Sequence, residues 1–502
     1  MPDFRANHLV SLLSDALQGL SPAPLWEHFS RLSSIPRPSR KERHATRYIL
    51  DLAASRGFVT REDAAGNVIV RKPASKGNEG VPSVALQNHL DMVCEKRRDV
   101  IHDFERDPLR LLRADGYVIA EGTTLGADNG IGAAAAIAVM MDDALAHGPL
   151  ELLFTVDEET GLNGAAALDA SLLGSRLLLN LDSEEEGALY IGCAGSRAAF
   201  LSSPAEREKA PDGALPLAVV LGGLQGGHSG LEIDKVRGNA IRLMSRALWA
   251  WADDIRIVRI TAGSRRNAIP REAEAVLMIR PERVEEFRRS VDRQNAIIWD
   301  EWGPFAEPHL SLRVASAVAA TDGTVIRRND QEKLLSLLCA LPTGVMGMSA
   351  SMPGSVETSL NLAVVRTEEK SVVTEISMRS SVDSALDDLA IRVGIIGRLA
   401  GATVDLTPGY PGWRPNPSSP LLRTVAGTYR TLFGKNPAIK AIHGGLECAV
   451  IGRKLPEIDM ISFGPNIDGA HSPDERVEIA SVEKFWRLLT AVLEQLTRNH
   501  TS

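Results

Sequence analysis

The sequence predicts an α/β protein: a doubly wound mixed sheet interrupted by an inserted α+β domain. Three observations predict it. Residues 1–197 alternate helical patterns with short apolar runs, and the same alternation resumes over 401–502. The segment 198–400 between them is set off by a polar, proline-containing stretch at its start and a Pro- and Gly-rich one at its end. At 502 residues the chain also exceeds what one ordinary core supports.

In chain order, LWEHFSRLSSI and RKERHATRYILDLAASRGF have helical apolar spacing. VPSVALQNHLDMV, LELLFTVDEE and RLLLNLDSEE contain continuous apolar runs, which suit buried, mainly parallel strands with helices on both faces. LSSPAEREKAPDGALP (201–216) is polar, holds three prolines and reads as a domain boundary. AGATVDLTPGYPGWRPNPSSP (400–420) is a second one. Beyond it come a helix at SPLLRTVAGTYRTLFG, apolar AIKAIHG, a strand at PEIDMISFG and a helix at ASVEKFWRLLTAVLEQLT. Inside the insert, Asn267 leads to Arg280 and Asn361 to Arg379 through the same succession of strand, charged turn, strand, arginine and helix. The insert is either internally duplicated or contains two unrelated units of this kind.

The net charge of -8 argues against nucleic acid or an anionic membrane as the main partner. No stretch approaches the ~18 apolar residues of a membrane span. The opening MPDFRANHLVSLLSDALQGL is amphipathic and mixed in charge, so no secretory leader is expected. Cys94, Cys193, Cys339 and Cys448 form no CxxC pair and read as reduced thiols of a cytoplasmic protein.

Chemistry collects where the apolar runs end. VALQNHLD ends in His89 and Asp91, which share a strand face. GTTLGADNGIG places Asp128 in a glycine-rich turn before a helix. FTVDEET ends in Asp157, Glu158 and Glu159, NLDSEEEG in Asp182, and SFGPNIDGAHSPDE in a loop with His471. Each has a bland reading alone: an ion pair at a strand end, a helix cap or a solvated acidic turn. Together, two histidines and several carboxylates suit a borderline divalent ion, zinc first and manganese or cobalt next. Two ions about 3.5–4 Å apart need one shared carboxylate and outer ligands on both sides. Two histidines and three carboxylates supply that set, leaving one acid as a base.

NHLDMV, GTTLGADNGIGAA, FTVDEETGLNGA, NLDSEEEGALYIGCAG, GGHSG, PGWRPN and HGGLECAVIG resemble the aminoacyl-histidine (Xaa-His, carnosinase-like) dipeptidases. These are co-catalytic zinc exopeptidases, related to carboxypeptidase G, the tripeptidases and the aminoacylases. The resemblance runs through nearly the whole chain. It implies a catalytic domain (1–197 and 401–502) and a lid domain (198–400), with two divalent metal ions acting on a small peptide. One ion would take His89, Asp128 and Asp182, the other Asp128, Glu159 and His471. Asp91 would orient His89, the peptide after Asp128 would be cis, and Glu158 would be the general base. His228 would donate to the oxyanion. Asn267 would bind substrate, and Arg379, ranked ahead of Arg280, would hold the terminal carboxylate. His443 would contact substrate and Glu447 the free amino group, or these two would form a buried ion pair. A doubled lid favours a site complete within one chain and is compatible with a homodimer. The alternatives are a broad-specificity dipeptidase or an N-acyl amino acid amidohydrolase and, outside enzymes, a peptide-binding protein on the same scaffold. No GxGxxG or GxxxxGK[ST] follows a first strand, which argues against a nucleotide-binding protein.

Overall fold

The computed structural model describes residues 15–316 and 323–498, so most of the amphipathic opening segment lies outside the described residues. Two compact units are present. One comprises the chain up to Gly192, Pro415–Ala441 and the chain from Leu446 onward; the other comprises Cys193–Arg414 and Ile442–Gly445.

The first unit is built on an eight-stranded sheet in the order Val59–Glu62, Val68–Lys72, Leu150–Thr155, Val84–His89, Leu177–Asn180, Asp459–Ser462, Ala188–Cys193, Ala438–Ile442. The four strands from Leu150–Thr155 to Asp459–Ser462 are mutually parallel. Antiparallel pairings flank them, with Val68–Lys72 on one side and Ala188–Cys193 on the other, so the sheet is mixed as expected. Every residue of Val84–His89 and of Leu150–Thr155 is buried, which fits strands covered on both faces. The alanine-rich helix Ala127–Met141 packs on Val84–His89 and is in turn covered by Ala23–Ser33. Because the four strands run the same way, His89 and the segments after Thr155, Asn180 and Ser462 all leave the sheet at one edge. Ligand sites of open α/β sheets form at such edges. The loop after Ser462 is anchored by a small sheet ordered Ile467–Asp468, Arg476–Glu478, Tyr117–Ala120, Leu111–Ala114. Among the described residues no helix is long and apolar enough to cross a membrane.

The inserted unit carries a nine-stranded antiparallel sheet. Eight of its strands belong to two βαββαβ units, and the ninth, Gly344–Met348, pairs with Val356–Thr367. One runs Leu215–Gly222, Ala240–Trp249, Ile255–Ala262, Ala273–Ile279, Val284–Trp302, Ser311–Ser316. The other runs Gly195–Pro204, Arg328–Ala340, Val356–Thr367, Ser371–Ser380, Asp383–Leu399, Thr403–Leu406. Both have the strand order 4-1-3-2, that of a ferredoxin-like unit. Their second strands meet at Thr261↔Arg366 and Ala262↔Val365, which makes one sheet of the two. The insert is therefore doubled, but by nesting: the first unit lies in the chain between the first strand and first helix of the second.

Nesting changes two expectations. Residues 201–216 lie largely in strands of the inserted unit, Gly195–Pro204, Arg207–Lys209 and the start of Leu215–Gly222. Their polarity reflects one solvated sheet face rather than a linker. The changeovers fall instead at 192/193 and 414/415, where 198–400 was expected. Ile442–Gly445 also returns to the inserted unit, with the Ala194 amide donating to the Ile442 and Gly444 carbonyls, each at 3.0 Å. Arg280 and Arg379 do fall at the ends of equivalent third strands, the first exposed and the second buried. Asn267 and Asn361 are not equivalent. Asn267 lies in the loop beyond a second strand, whereas Asn361 is inside the other one.

Candidate functional site

The carboxyl edge of the parallel strands gathers His89, Asp128, Glu158, Glu159, Asp182 and His471, all within the first unit. The Asp128 carboxylate is shared. Its Oδ1 lies 3.0 Å from His89 Nε2, and its Oδ2 lies 3.1 Å from His471 Nε2. Asp182 Oδ1 is 3.3 Å from the same His89 nitrogen, and Glu159 Oε2 is 3.1 Å from that of His471. Two triads result, His89–Asp128–Asp182 and Asp128–Glu159–His471, each with its ligand atoms within 4.8 Å of one another. Glu158 and Glu159 form a third group with His89. Both acids stand on a turn just beyond the strand Leu150–Thr155. Asp157 and His471 both take left-handed backbone (φ 50° and 65°), an uncommon conformation outside glycine that gathers at functional sites. The Asp128–Asn129 peptide is cis.

The donor set fits divalent cations. Imidazole and carboxylate are the ligands a borderline ion takes. Asp182 Oδ1 and Glu159 Oε1 are buried without a hydrogen bond. Charge points the same way. Burial pushes Asp182 up to about 7, against the pull of His89, and it pushes Glu158 well above the usual carboxylate range. Hydrogen bonds to Asp128 and Glu159 raise His471 to about 11. Buried carboxylates thus outweigh the two imidazoles, an imbalance that bound cations would relieve.

Supporting groups hold the site from below. Asp91 accepts from the Glu158 and Glu159 amides (3.0 and 3.1 Å) and from Ser39 Oγ (2.7 Å). Its carboxylate stands 3.5 Å from His89 Nδ1, farther than its own carbonyl at 3.2 Å. The carboxylate therefore reaches both the acidic turn and the His89 ring. Burial opposes its charge, but His89 and these donors hold its pKa at about 2. Glu475 accepts from the consecutive amides of Leu125, Gly126, Ala127 and Asp128 at 2.7–3.3 Å. Buried Arg37 donates to the carbonyls of Leu90, Asp91 and Gly126. Glu42 Oε1 accepts from the Arg40 and Asp157 amides, each at 2.8 Å. Sequence reasoning missed Arg37, Glu42 and Glu475, because each lies in a polar stretch that reads as surface and only its backbone partners reveal its role.

Glu447 is fully buried at the start of the helix Glu447–Lys454. Its Oε2 accepts from Gln87 Nε2 (2.5 Å) and Thr155 Oγ1 (2.6 Å), and Asn180 Nδ2 donates to Gln87 Oε1 (2.5 Å). These hydrogen-bond partners are neutral, in contrast to the ion pair weighed for Glu447. The network ties together the three strands that lead to His89, Glu158 and Asp182.

In the inserted unit, His228 Nδ1 accepts from the Gly230 and Leu231 amides (3.2 and 3.0 Å), which leaves the ring proton on Nε2. Arg379 and His443 are buried, with Arg379 Nη1 3.5 Å from the His443 carbonyl and His443 Nε2 2.7 Å from Ser359 Oγ. A Cβ on Gly230 would meet the His443 carbonyl at 2.5 Å, His228 Cε1 at 3.1 Å and Arg379 Nε at 3.2 Å, so only glycine lets these three groups converge. Burial, reinforced by Arg379, lowers His443 to about 4 and keeps it neutral. Asn267 is exposed, and its carbonyl accepts from the Ser229 amide at 2.8 Å.

Residues 85–495 match the model of a family described as Peptidase family M20/M25/M40. The chain is 42% identical over 482 residues to the cytosol non-specific dipeptidase of Escherichia coli (strain K12), covering 96% of this chain and 99% of that one. It matches the crystal structure of aminoacylhistidine dipeptidase from Vibrio alginolyticus with a TM-score of 0.87 at 41% identity, covering 95% and 97% of the two chains. A tripeptidase structure from Staphylococcus aureus shares the fold, with a TM-score of 0.55 at 16% identity over 95% and 99%.

Burial pushes the Glu447 carboxyl up to about 7 from an ordinary 4.5. The folded protein then keeps this proton at pH values where the unfolded chain has lost it. The stability so gained is complete below about pH 4.5 and is lost as pH rises through about 7. In metal-free protein Glu447→Gln should therefore gain stability over the parent as pH rises from about 5 to 8, by on the order of 3 kcal/mol. Urea midpoints across that range measure it, and parallel curves for the two proteins would contradict it.

Proposed function

The chain belongs to peptidase family M20/M25/M40, and from that premise we propose that it is a cytoplasmic, dinuclear zinc-dependent dipeptidase that accepts Xaa-His dipeptides among its substrates. The observation that carries this reading is the Asp128 carboxylate, with one oxygen on His89 and the other on His471. One zinc ion would be held by His89, Asp128 and Asp182, the other by Asp128, Glu159 and His471. Bound there, the ions would polarise the scissile carbonyl and lower the pKa of a bound water.

The chain's own residues divide the remaining work. Glu158 takes the proton from the attacking water and returns it to the leaving amine nitrogen. Its backbone is pinned for this, with the amide on Asp91 and the carbonyl accepting from Gly161 and Leu162 (2.9 and 2.7 Å). Asp91 acts as a positioning group, orienting His89 through Nδ1 and fixing that turn. His228 donates its Nε2 proton to the carbonyl oxygen as negative charge develops there. Arg379 takes the terminal carboxylate of the peptide. Asn267 and His443 contact the substrate, and Glu447 offers a carboxylate to its free amine.

The relative named as non-specific favours a substrate range wider than Xaa-His, and the one named for aminoacylhistidine favours its inclusion. Metal-stripped and zinc-reconstituted protein tested on carnosine, Leu-His, Leu-Leu and N-acetyl amino acids separates the readings. Zinc-dependent cleavage of the free dipeptides is expected. Cleavage confined to the N-acetyl compounds would make the chain an amidohydrolase, and binding without cleavage a peptide-binding protein.

Glu158→Ala should retain zinc and lose turnover on Leu-Leu by roughly 10²–10⁴-fold; parental turnover would remove Glu158 as the base. Asp128→Ala should lose zinc from both triads by elemental analysis, whereas full occupancy would contradict a shared ligand.

A further inference from the structure

We propose that Asn361 is a positioning residue for the loop that carries Asn267 and, through that loop, for His228. The inference rests on the reading of Asn267 and His228 as substrate-facing groups. Asn361 sits in the second strand of one βαββαβ unit, and the loop it holds belongs to the other. Its side chain is 1% exposed. Its Nδ2 donates to the Arg266 carbonyl at 3.2 Å and the Ala268 carbonyl at 2.8 Å, the two carbonyls on either side of Asn267. The carbonyl of Asn267 itself accepts from the amide of Ser229, the residue after His228. His228 in turn pairs with Ala268 in a two-residue ladder, Gly227–His228 with Ala268–Ile269.

The loop's other contacts are a turn hydrogen bond from the Ala268 amide to the Arg265 carbonyl (3.2 Å), a long one from Ser229 Oγ to the Arg266 carbonyl (3.5 Å), and the Arg266 side chain over the Phe200 ring and 3.9 Å from Glu375. Residues 264–267 are exposed, and a ladder of two residue pairs is short. A buried amide that grips both flanks of Asn267 sets the height of that residue, and with it the hydrogen bond to Ser229. The requirement is for two N–H donors on one nitrogen. An aspartate of the same shape has none, and a threonine has one.

The same strand face also serves His443. Ser359, two residues before Asn361 and so on the same side, contacts His443 Nε2, and Arg379 is its cross-strand partner. One unit of the insert thus supplies the loop, and the other supplies the braces.

The test uses zinc-loaded, full-length protein with Leu-Leu as the probe. Asn361→Asp keeps the size and removes both donors. Asn361→Thr keeps one donor and covers the case in which the aspartate fails to fold. In Asn361→Asp, kcat should fall on the order of 10–100-fold with zinc per chain unchanged. The Ser229 amide should exchange hydrogen faster, and Asn361→Thr should fall between this variant and the parent. Parental Ser229 exchange would overturn the brace. Faster exchange with parental kcat would overturn its role in catalysis and leave a purely structural contact. Failure of the parent to cleave any dipeptide would count against the functional reading, and the exchange result, which needs no turnover, would remain decisive for the brace.

Discussion

A single carboxylate with a histidine on each oxygen organises the first unit. Asp128 can occupy that place only if the chain before the helix Ala127–Met141 is held tightly, and two buried charges hold it. Glu475 takes four successive amides of the loop, and Arg37 takes the Gly126 carbonyl from the other side. Both groups lie in the interior, where a charge is tolerated only when it is hydrogen-bonded. Their partners are mostly backbone, so the loop gains a fixed shape in exchange for the burial.

The same device recurs in each unit. Asp91 fixes the amides of Glu158 and Glu159, Glu42 fixes that of Asp157, and in the inserted unit Glu307 binds the amides of Gln225 and Gly238 at the two ends of the segment holding His228. Irregular backbone at a sheet edge leaves N–H groups that secondary structure cannot satisfy. A buried carboxylate satisfies two or more of them at once. This explains why the site is acidic beyond what its candidate ligands require, and why several of its acids are held away from their ordinary pKa values.

The two units differ in how much of them was legible. His89, Glu159, Asp182 and His471 could be read because each follows an apolar run whose strand ends at one edge, and Asp128 because it stands in a glycine-rich turn opening a helix. That the central strands are buried and parallel also followed from their continuous apolar runs, whereas their order in the sheet did not. The boundary at 192/193 did not, because a strand with one wet face looks like a linker. The nesting was invisible for a related reason: Gly195–Pro204 belongs with elements more than a hundred residues later, and no local pattern records such a pairing. Arg37, Glu42, Glu475 and Asn361 act through backbone partners, so their residue types carry no signal until the fold is known.

The account stands or falls on whether Asp128 lies between two cations. Anomalous scattering at the zinc edge from crystals grown with zinc measures this directly. Two peaks per chain are predicted, one on the His89 and Asp182 side of that carboxylate and one on the His471 and Glu159 side. A single peak, or two peaks that do not share Asp128, would contradict it.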